Sequence, residues 1–171
     1  MENLTLTFRG VCGSYPSLTN PINFRATPCI YVQSKNSTLI LDAGTGIIPL
    51  GHQLLNSTDP IYICLSHFHF DHVLGIPYFK PLYDSNIPIT IIHPYPDQAK
   101  SVFSQLFQPD FFPLDFSIIE KKLTFITPKE ASKKLDFTLS HFPLNHPGEC
   151  HAYAIEHRSK KIIYATDNEL T

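Results

Sequence analysis

Four side chains able to bind metal ions fall within six positions of the run Ser66-His67-Phe68-His69-Phe70-Asp71-His72. With nine histidines in 171 residues, a fixed H-x-H-x-D-H pattern arises by chance in about one such sequence in a thousand. In an extended segment residues two apart point the same way, so His67 and His69 can bind one ion while the intervening aromatics pack beneath the loop. Asp71 and His72 fall where the chain turns into a helix, and there they can face a second ion close to the first. Imidazole with carboxylate and no thiolate is a borderline ligand set suited to zinc, manganese or iron. It favours an open, hydrolytic site over a closed structural one. The plain alternative is a loop of hydrogen-bonded structural histidines. It is disfavoured because so many ionisable groups rarely gather for packing alone.

The elements that must position this run are short and are punctuated by Pro, Gly, Asn and Ser. Alternating or continuous apolar runs predict strands over Leu4 to Arg9, Thr27 to Gln33, Ser37 to Leu41, Pro60 to Leu65, Pro88 to His93, Lys122 to Thr127, Leu135 to His141, Cys150 to Glu156 and Lys161 to Ala165. Helical spacing predicts helices over Gly46 to Asn56, around Val73 to Pro81, and over Asp97 to Phe107. Many strands with few, short helices point to sheets stacked as a sandwich with helices outside, rather than a bundle or a strictly alternating parallel sheet. With no repeat and no linker, residues 1–171 read as one domain.

Composition narrows the function further. Thirteen Lys and Arg stand against fifteen Asp and Glu, for a net charge of −2, and no block of like charge stands out. A broad nucleic-acid-binding face is therefore disfavoured. No apolar run approaches the roughly 18 residues of a membrane span, and the amino terminus alternates like a strand, so a membrane protein and a signal peptide are not expected. The four cysteines, Cys12, Cys29, Cys64 and Cys150, lie far apart with no CxxC pair. They read as small apolar residues of a reducing compartment, which makes the expected location cytoplasmic. No G-x-S-x-G elbow suggests a serine hydrolase. His52, His93 and His157 read as ordinary polar residues. Nothing in their spacing separates His146 from His141 and His151 as a further ligand. Thr45-Gly46 could offer N–H groups to an anion, but a simple chain reversal is the stronger reading. Phe103, Phe107, Phe111, Phe112 and Phe116 read as core rather than as a substrate lid.

The run His67-Phe68-His69-Phe70-Asp71-His72 resembles the signature of the metallo-β-lactamase fold superfamily, and the surrounding sequence matches in order. Leu39-Ile40-Leu41-Asp42-Ala43-Gly44-Thr45-Gly46 resembles the strand and glycine turn ahead of the metal motif. Gly75-Ile76-Pro77-Tyr78-Phe79 resembles the segment after it, His146-Pro147-Gly148 the loop of the third histidine, and Tyr164-Ala165-Thr166-Asp167 the strand end with the bridging aspartate. Together with Gly13-Ser14-Tyr15-Pro16 and Thr27-Pro28-Cys29, these segments are most similar to the metal-dependent phosphodiesterases and ribonuclease Z-like hydrolases.

The resemblance implies an α/β (α+β) fold, an αββα sandwich incomplete at its carboxy-terminal end. It implies two divalent ions, zinc foremost, with manganese or iron as alternatives. His67, His69 and His146 would bind the first ion, Asp71 and His72 the second, and Asp167 would bridge them, while Asp42 supports the loops from below. The implied reaction is hydrolysis of a small-molecule or nucleotide phosphodiester by a hydroxide shared between the ions, with Asp71 as the catalytic residue that orients it or takes its proton. Two other readings stay open: a metallohydrolase of thioester, lactone or lactam substrates, and a non-catalytic or one-metal relative that acts through a partner. Family members normally continue past the bridging aspartate and supply a last histidine. This sequence stops four residues beyond Asp167. The second ion would then keep an open position, and an uncovered sheet edge makes a homodimer an expectation.

Overall fold

The segments expected to be strands form strands, with ends shifted by a few residues, in a computed structural model that describes residues 4–17 and 25–170. Residues 1–3 of the alternating amino-terminal run lie outside the described residues. Strands β1 (Thr5–Gly10), β2 (Cys29–Gln33) and β3 (Thr38–Leu41) make an antiparallel meander. β4 (Ile61–Cys64), β5 (Ile89–Ile92) and β6 (Leu123–Ile126) extend it in parallel, giving a six-stranded sheet in sequence order. Half of this sheet is thus the alternating βαβ type that the sequence reading set aside. The reason lies in runs such as Ile89-Thr90-Ile91-Ile92, buried at every position, as strands covered on both faces must be.

The crossovers carry the helices: α1 (Ile47–Leu54), then α2 (Phe70–Val73) and α3 (Pro81–Asp84) around a 3₁₀ turn at Ile76–Tyr78, then α4 (Pro96–Leu106) and α5 (Ser117–Glu120). The helix expected around Val73 to Pro81 is therefore three short pieces, because Pro77 and Pro81 each restart the chain at a helix first turn. These helices cover one face of the large sheet through Ile40, Ile63, Ile89, Ile91, Leu50 and Phe103.

Leu39 and Leu41, which flank Ile40 along β3, point the other way into a second interior with Val32, Cys64, Ile92, Tyr153 and Ile155. That interior is closed by a three-stranded antiparallel sheet of β7 (Thr138–Leu144), β8 (Cys150–His157) and β9 (Lys160–Tyr164). Helix α6 (Pro128–Ala131) leads into β7. It starts at a reciprocal cap, with the Thr127 hydroxyl accepting from the Glu130 N–H and the Glu130 carboxylate accepting from the Thr127 N–H.

The layers run helices, sheet, sheet. Among the described residues no helix follows β9, and the outer face of the second sheet shows Phe142 and Ile163 to solvent, 52% and 64% exposed, opposite Ala152 and Ala154 in register. This is the αββα sandwich short of its last layer. Phe103 and Phe107 are buried as expected, and Phe112 and Phe116 pack against the core. Phe111 departs from the expectation: it is exposed and, with Phe68, Phe70, Tyr78 and Phe112, lines an apolar cavity of about 390 Å³.

Candidate metal centre

The edge where β3 and β4 end carries the chemistry. β4 delivers Ser66 and His67 at its carboxy-terminal end, and His69 sits in extended backbone as the residue that caps α2. Asp71 and His72 fall within the first turns of α2, as the spacing required. The glycine turn after β3 holds α2 in place: the Ala43 N–H donates to the His72 carbonyl at 2.8 Å, and the Gly75 N–H donates to the Ala43 carbonyl at 2.9 Å. A Cβ on Gly44 would collide with the Asp71 carbonyl, so only glycine allows this approach. The N–H groups of Thr45 and Gly46 are spent on Thr27, which leaves the chain-reversal reading of that turn and no anion cradle.

The resemblance-derived residues come from far along the chain and converge here. His146 lies in the turn between β7 and β8, and Asp167 lies beyond β9. Asn145 ties the two segments together: its N–H donates to the Asn168 side chain at 3.0 Å, and its carbonyl accepts from the Glu169 N–H at 2.7 Å. His69 Nδ1 then stands 3.0 Å from both His67 Nε2 and His146 Nε2. Asp167 Oδ2 lies 3.5 Å from His67 Nε2, 3.4 Å from His72 Nε2 and 3.7 Å from His146 Nε2. Two donor groups result, His67, His69, His146 and Asp167 in one, Asp71, His72 and Asp167 in the other, each with its ligand atoms within 4.8 Å. His141 and His151 belong to neither group.

Ring orientation is set from behind by Asp42. This residue is fully buried and adopts φ +57°, a left-handed conformation that short polar side chains tolerate. Its carboxylate accepts from the Ser66 N–H and hydroxyl at 2.7 Å each, from His72 Nδ1 at 2.7 Å and from the Tyr164 hydroxyl at 2.6 Å. The Ser66 oxygen, having donated its proton to Asp42, accepts from His67 Nδ1 at 3.0 Å. Both rings therefore keep their proton on Nδ1 and present an Nε2 lone pair to the centre, a tautomer assigned from this network. His72 Nε2 is buried and has no hydrogen-bond partner. An orphaned, lone-pair-bearing nitrogen beside two carboxylates is what a divalent cation satisfies, so the donor set fits such an ion.

Ser14, Ser66 and Tyr164 are the functional neighbours that the sequence reading missed. The Ser14 N–H, at φ +64°, donates to Asp71 Oδ2 at 2.8 Å and aims that carboxylate. Cys150 lies 3.6 Å from His67 Nδ1, but burial pushes its thiol up to about 12, so it offers no thiolate near neutrality.

Burial, reinforced by the neighbouring His72 ring, lowers His67 to about 4, and burial does the same to His93. Burial also lowers His151. His72 is raised: burial opposes protonation, but the Asp42 hydrogen bond and the surrounding carboxylates outweigh it. For the three lowered groups the unfolded chain takes up protons first. Their neutral, buried forms stabilise the fold above about pH 6.5, and for His67 and His93 that stability is lost as pH falls toward 4. His72 works in the opposite sense. With three groups against one, the urea midpoint of the metal-free chain is expected to drop between pH 7 and pH 4.5, His67 and His93 each contributing at most about 1.4 kcal/mol per pH unit below 6.5. A midpoint that is flat or rises over this range would contradict the assignment.

A two-sheet sandwich with a His/Asp cluster at the strand ends defines a class of protein built to hold divalent cations at its rim. The chain belongs to the metallo-β-lactamase superfamily, whose family model matches residues 22–169. It is 25% identical over 140 residues to ribonuclease Z of Lachnoclostridium phytofermentans, covering 80% of this chain and 44% of that protein. The chain thus spans less than half the length of that relative. Solved structures agree on the fold. The metallo-β-lactamase fold protein YhfI from Bacillus subtilis superposes with a TM-score of 0.66 at 20% identity, over 95% of this chain and 62% of that one. Human tRNase Z, short form, gives 0.62 at 19% identity, over 98% and 69%. No helix among the described residues is long and apolar enough to cross a membrane.

Proposed function

We propose that this chain is a metal-dependent hydrolase of phosphodiester bonds that works with two divalent ions. The observation that carries the reading is the position of Asp167, one carboxylate oxygen within 3.4–3.7 Å of three imidazole nitrogens from both donor groups. His67, His69 and His146 would hold the first ion, Asp71 and His72 the second, with Asp167 shared. When bound, the ions supply an activated water near neutral pH and positive charge for the phosphoryl oxygens. Zinc is the ion this donor set favours first, with manganese or iron able to replace it.

The side chains do the rest. Asp71, aimed by the Ser14 N–H, would take a proton from the water as its oxygen bonds to phosphorus and pass that proton to the leaving oxygen as the ester P–O bond breaks. Asp42 keeps the His67 and His72 rings in their ligand tautomer through Ser66 and its direct hydrogen bond. The fold relatives named ribonuclease Z support a phosphodiester, and the net charge of −2 supports a compact substrate over a long nucleic acid engaged through a broad basic face. A small set of aryl substrates tests this. Hydrolysis of an aryl phosphodiester is expected to need added zinc or manganese, to stop with chelator, and to exceed hydrolysis of the matching carboxylic ester. A faster ester reaction would move the chain to the thioester and lactone class.

A second reading, a chain that works in association with a partner or a second copy, is favoured by Phe142 and Ile163 on the outer face of the second sheet. Sedimentation at assay concentration tests it, because a monomer that turns over unaided excludes it.

A further inference from the structure

The apolar cavity of about 390 Å³ in the helical layer shares a wall with the metal centre. Helix α2 is the common element. Asp71 and His72 belong to a donor group, while Phe70, Val73 and Leu74 line the cavity. Residues three and four apart share one face of a helix, so this short turn divides into a polar side and an apolar side. Phe68, between the ligands His67 and His69, joins the same wall. One stretch of chain thus builds two sites, held apart by the width of a helix, about 10–12 Å with its side chains.

The opposite wall comes from α4, through Gln105 and Leu106, and from Phe111 and Phe112 beyond it. Tyr78 and Phe112 meet edge to face with ring centroids 5.6 Å apart, which steadies one side. Three rings stand at the mouth, Phe70, Tyr78 and Phe111, which are 70%, 53% and 75% exposed. Large apolar groups gathered in the open around one concavity mark a binding surface. The volume falls in the range of small-molecule sites, about 300–1,000 Å³. None of the lining residues is charged, so an ionised group would lose its hydration there without gaining a partner. The polar groups on offer are the Gln105 amide and the Tyr78 hydroxyl. Ring faces with a few hydrogen-bonding groups suit a flat aromatic ring with a polar edge, and a saturated chain has no use for either.

We propose that this cavity is the subsite for an uncharged aromatic ring carried by the substrate, a nucleobase or a plain aryl group. The inference rests on the phosphodiesterase reading for the phosphoryl end of that substrate, and on the cavity alone for the ring. The phosphoryl group stays at the metal centre. The ring passes over Phe70, the rim residue next to Asp71 in the chain, and stacks within the cavity. Phe111, which the sequence alone placed in the core, becomes its outer wall.

The test is titration calorimetry of phosphate monoesters into the zinc-dialysed chain, Phe111→Ala and Phe111→Tyr, with circular dichroism to check the fold. Phe111 is exposed, so neither variant opens the core. At least one ring-bearing compound is expected to bind about tenfold tighter than its ringless match. Thymidine monophosphate over ribose phosphate assigns the nucleobase, and phenylbutyl phosphate over octyl phosphate assigns the aryl group. Phe111→Ala is expected to remove that advantage and Phe111→Tyr to keep it, while ribose phosphate binds all three proteins equally. A ring advantage in a chain that cleaves no phosphodiester would uphold the ring site and overturn the phosphodiesterase reading. No advantage in either pair, or one that Phe111→Ala leaves intact, would overturn the subsite even in a chain that turns over phosphodiesters.

Discussion

Replacing His69 with alanine is expected to abolish metal-dependent phosphodiester hydrolysis while leaving the fold in place. His69 is the hub of the first donor group, its Nδ1 at 3.0 Å from both His67 Nε2 and His146 Nε2. Its side chain packs on no core residue in the way the fully buried His67 and His72 do, so its loss removes a ligand more than a structural support. Loss of an outer partner of a metal ligand already costs about 10–100-fold, and loss of the ligand itself costs more. The expected result is a rate reduced by at least about a hundredfold at saturating zinc, with an unchanged melting temperature for the metal-free protein. A rate within tenfold of the intact chain would remove His69 from the chemistry.

Replacing Asp42 with asparagine is expected to be more damaging, although Asp42 touches no substrate. Its carboxylate accepts four hydrogen bonds at 2.6–2.7 Å in a fully buried position. Asparagine tolerates the left-handed backbone that Asp42 adopts, so backbone strain is not the cause. The cause is chemical: the new NH₂ group faces donors, and the Ser66, His72 and Tyr164 protons lose acceptors in a dry interior. A loss of about 3–5 kcal/mol in unfolding free energy is expected from breaking a buried charged network. Metal affinity should fall about 10–100-fold as His67 and His72 lose their fixed tautomer. Urea unfolding and zinc titration of the same variant check both. Normal zinc affinity in a destabilised variant would confine Asp42 to packing.

The parts of the centre that were legible in the sequence are those that lie contiguously. Within His67 to His72 the ligand types and the period of two sufficed, because an extended strand end followed by a helix start places them without help from the rest of the chain. His146 and Asp167 were legible only through resemblance, since they reach the site through the pairing of β7, β8 and β9 and the Asn145 cross-links. Ser66 and Tyr164 act through single hydroxyls at strand ends, and no spacing rule marks such a role. Ser14 acts through its backbone, which no side-chain pattern reveals.

The fold shows the same division. Strand existence followed from apolar runs, but the direction of β4, β5 and β6 did not. For β4 and β5 the near-continuous apolar runs that burial on both faces demands were the available signal; β6, with Thr124 exposed, carries none. Helix α6 was also missed, although Thr127-Pro128-Lys129-Glu130 spells its capping box.

The most direct measurement of the central claim is the number of zinc ions that Asp167→Ala loses relative to the intact chain, counted by elemental analysis after dialysis. Asp167 is partly exposed at the rim, so its replacement leaves both interiors intact. Because Asp167 is the third ligand of the group with Asp71 and His72, while His67, His69 and His146 remain three ligands without it, the account predicts that the variant holds at least one zinc ion fewer than the intact protein. An unchanged zinc content would contradict the shared centre.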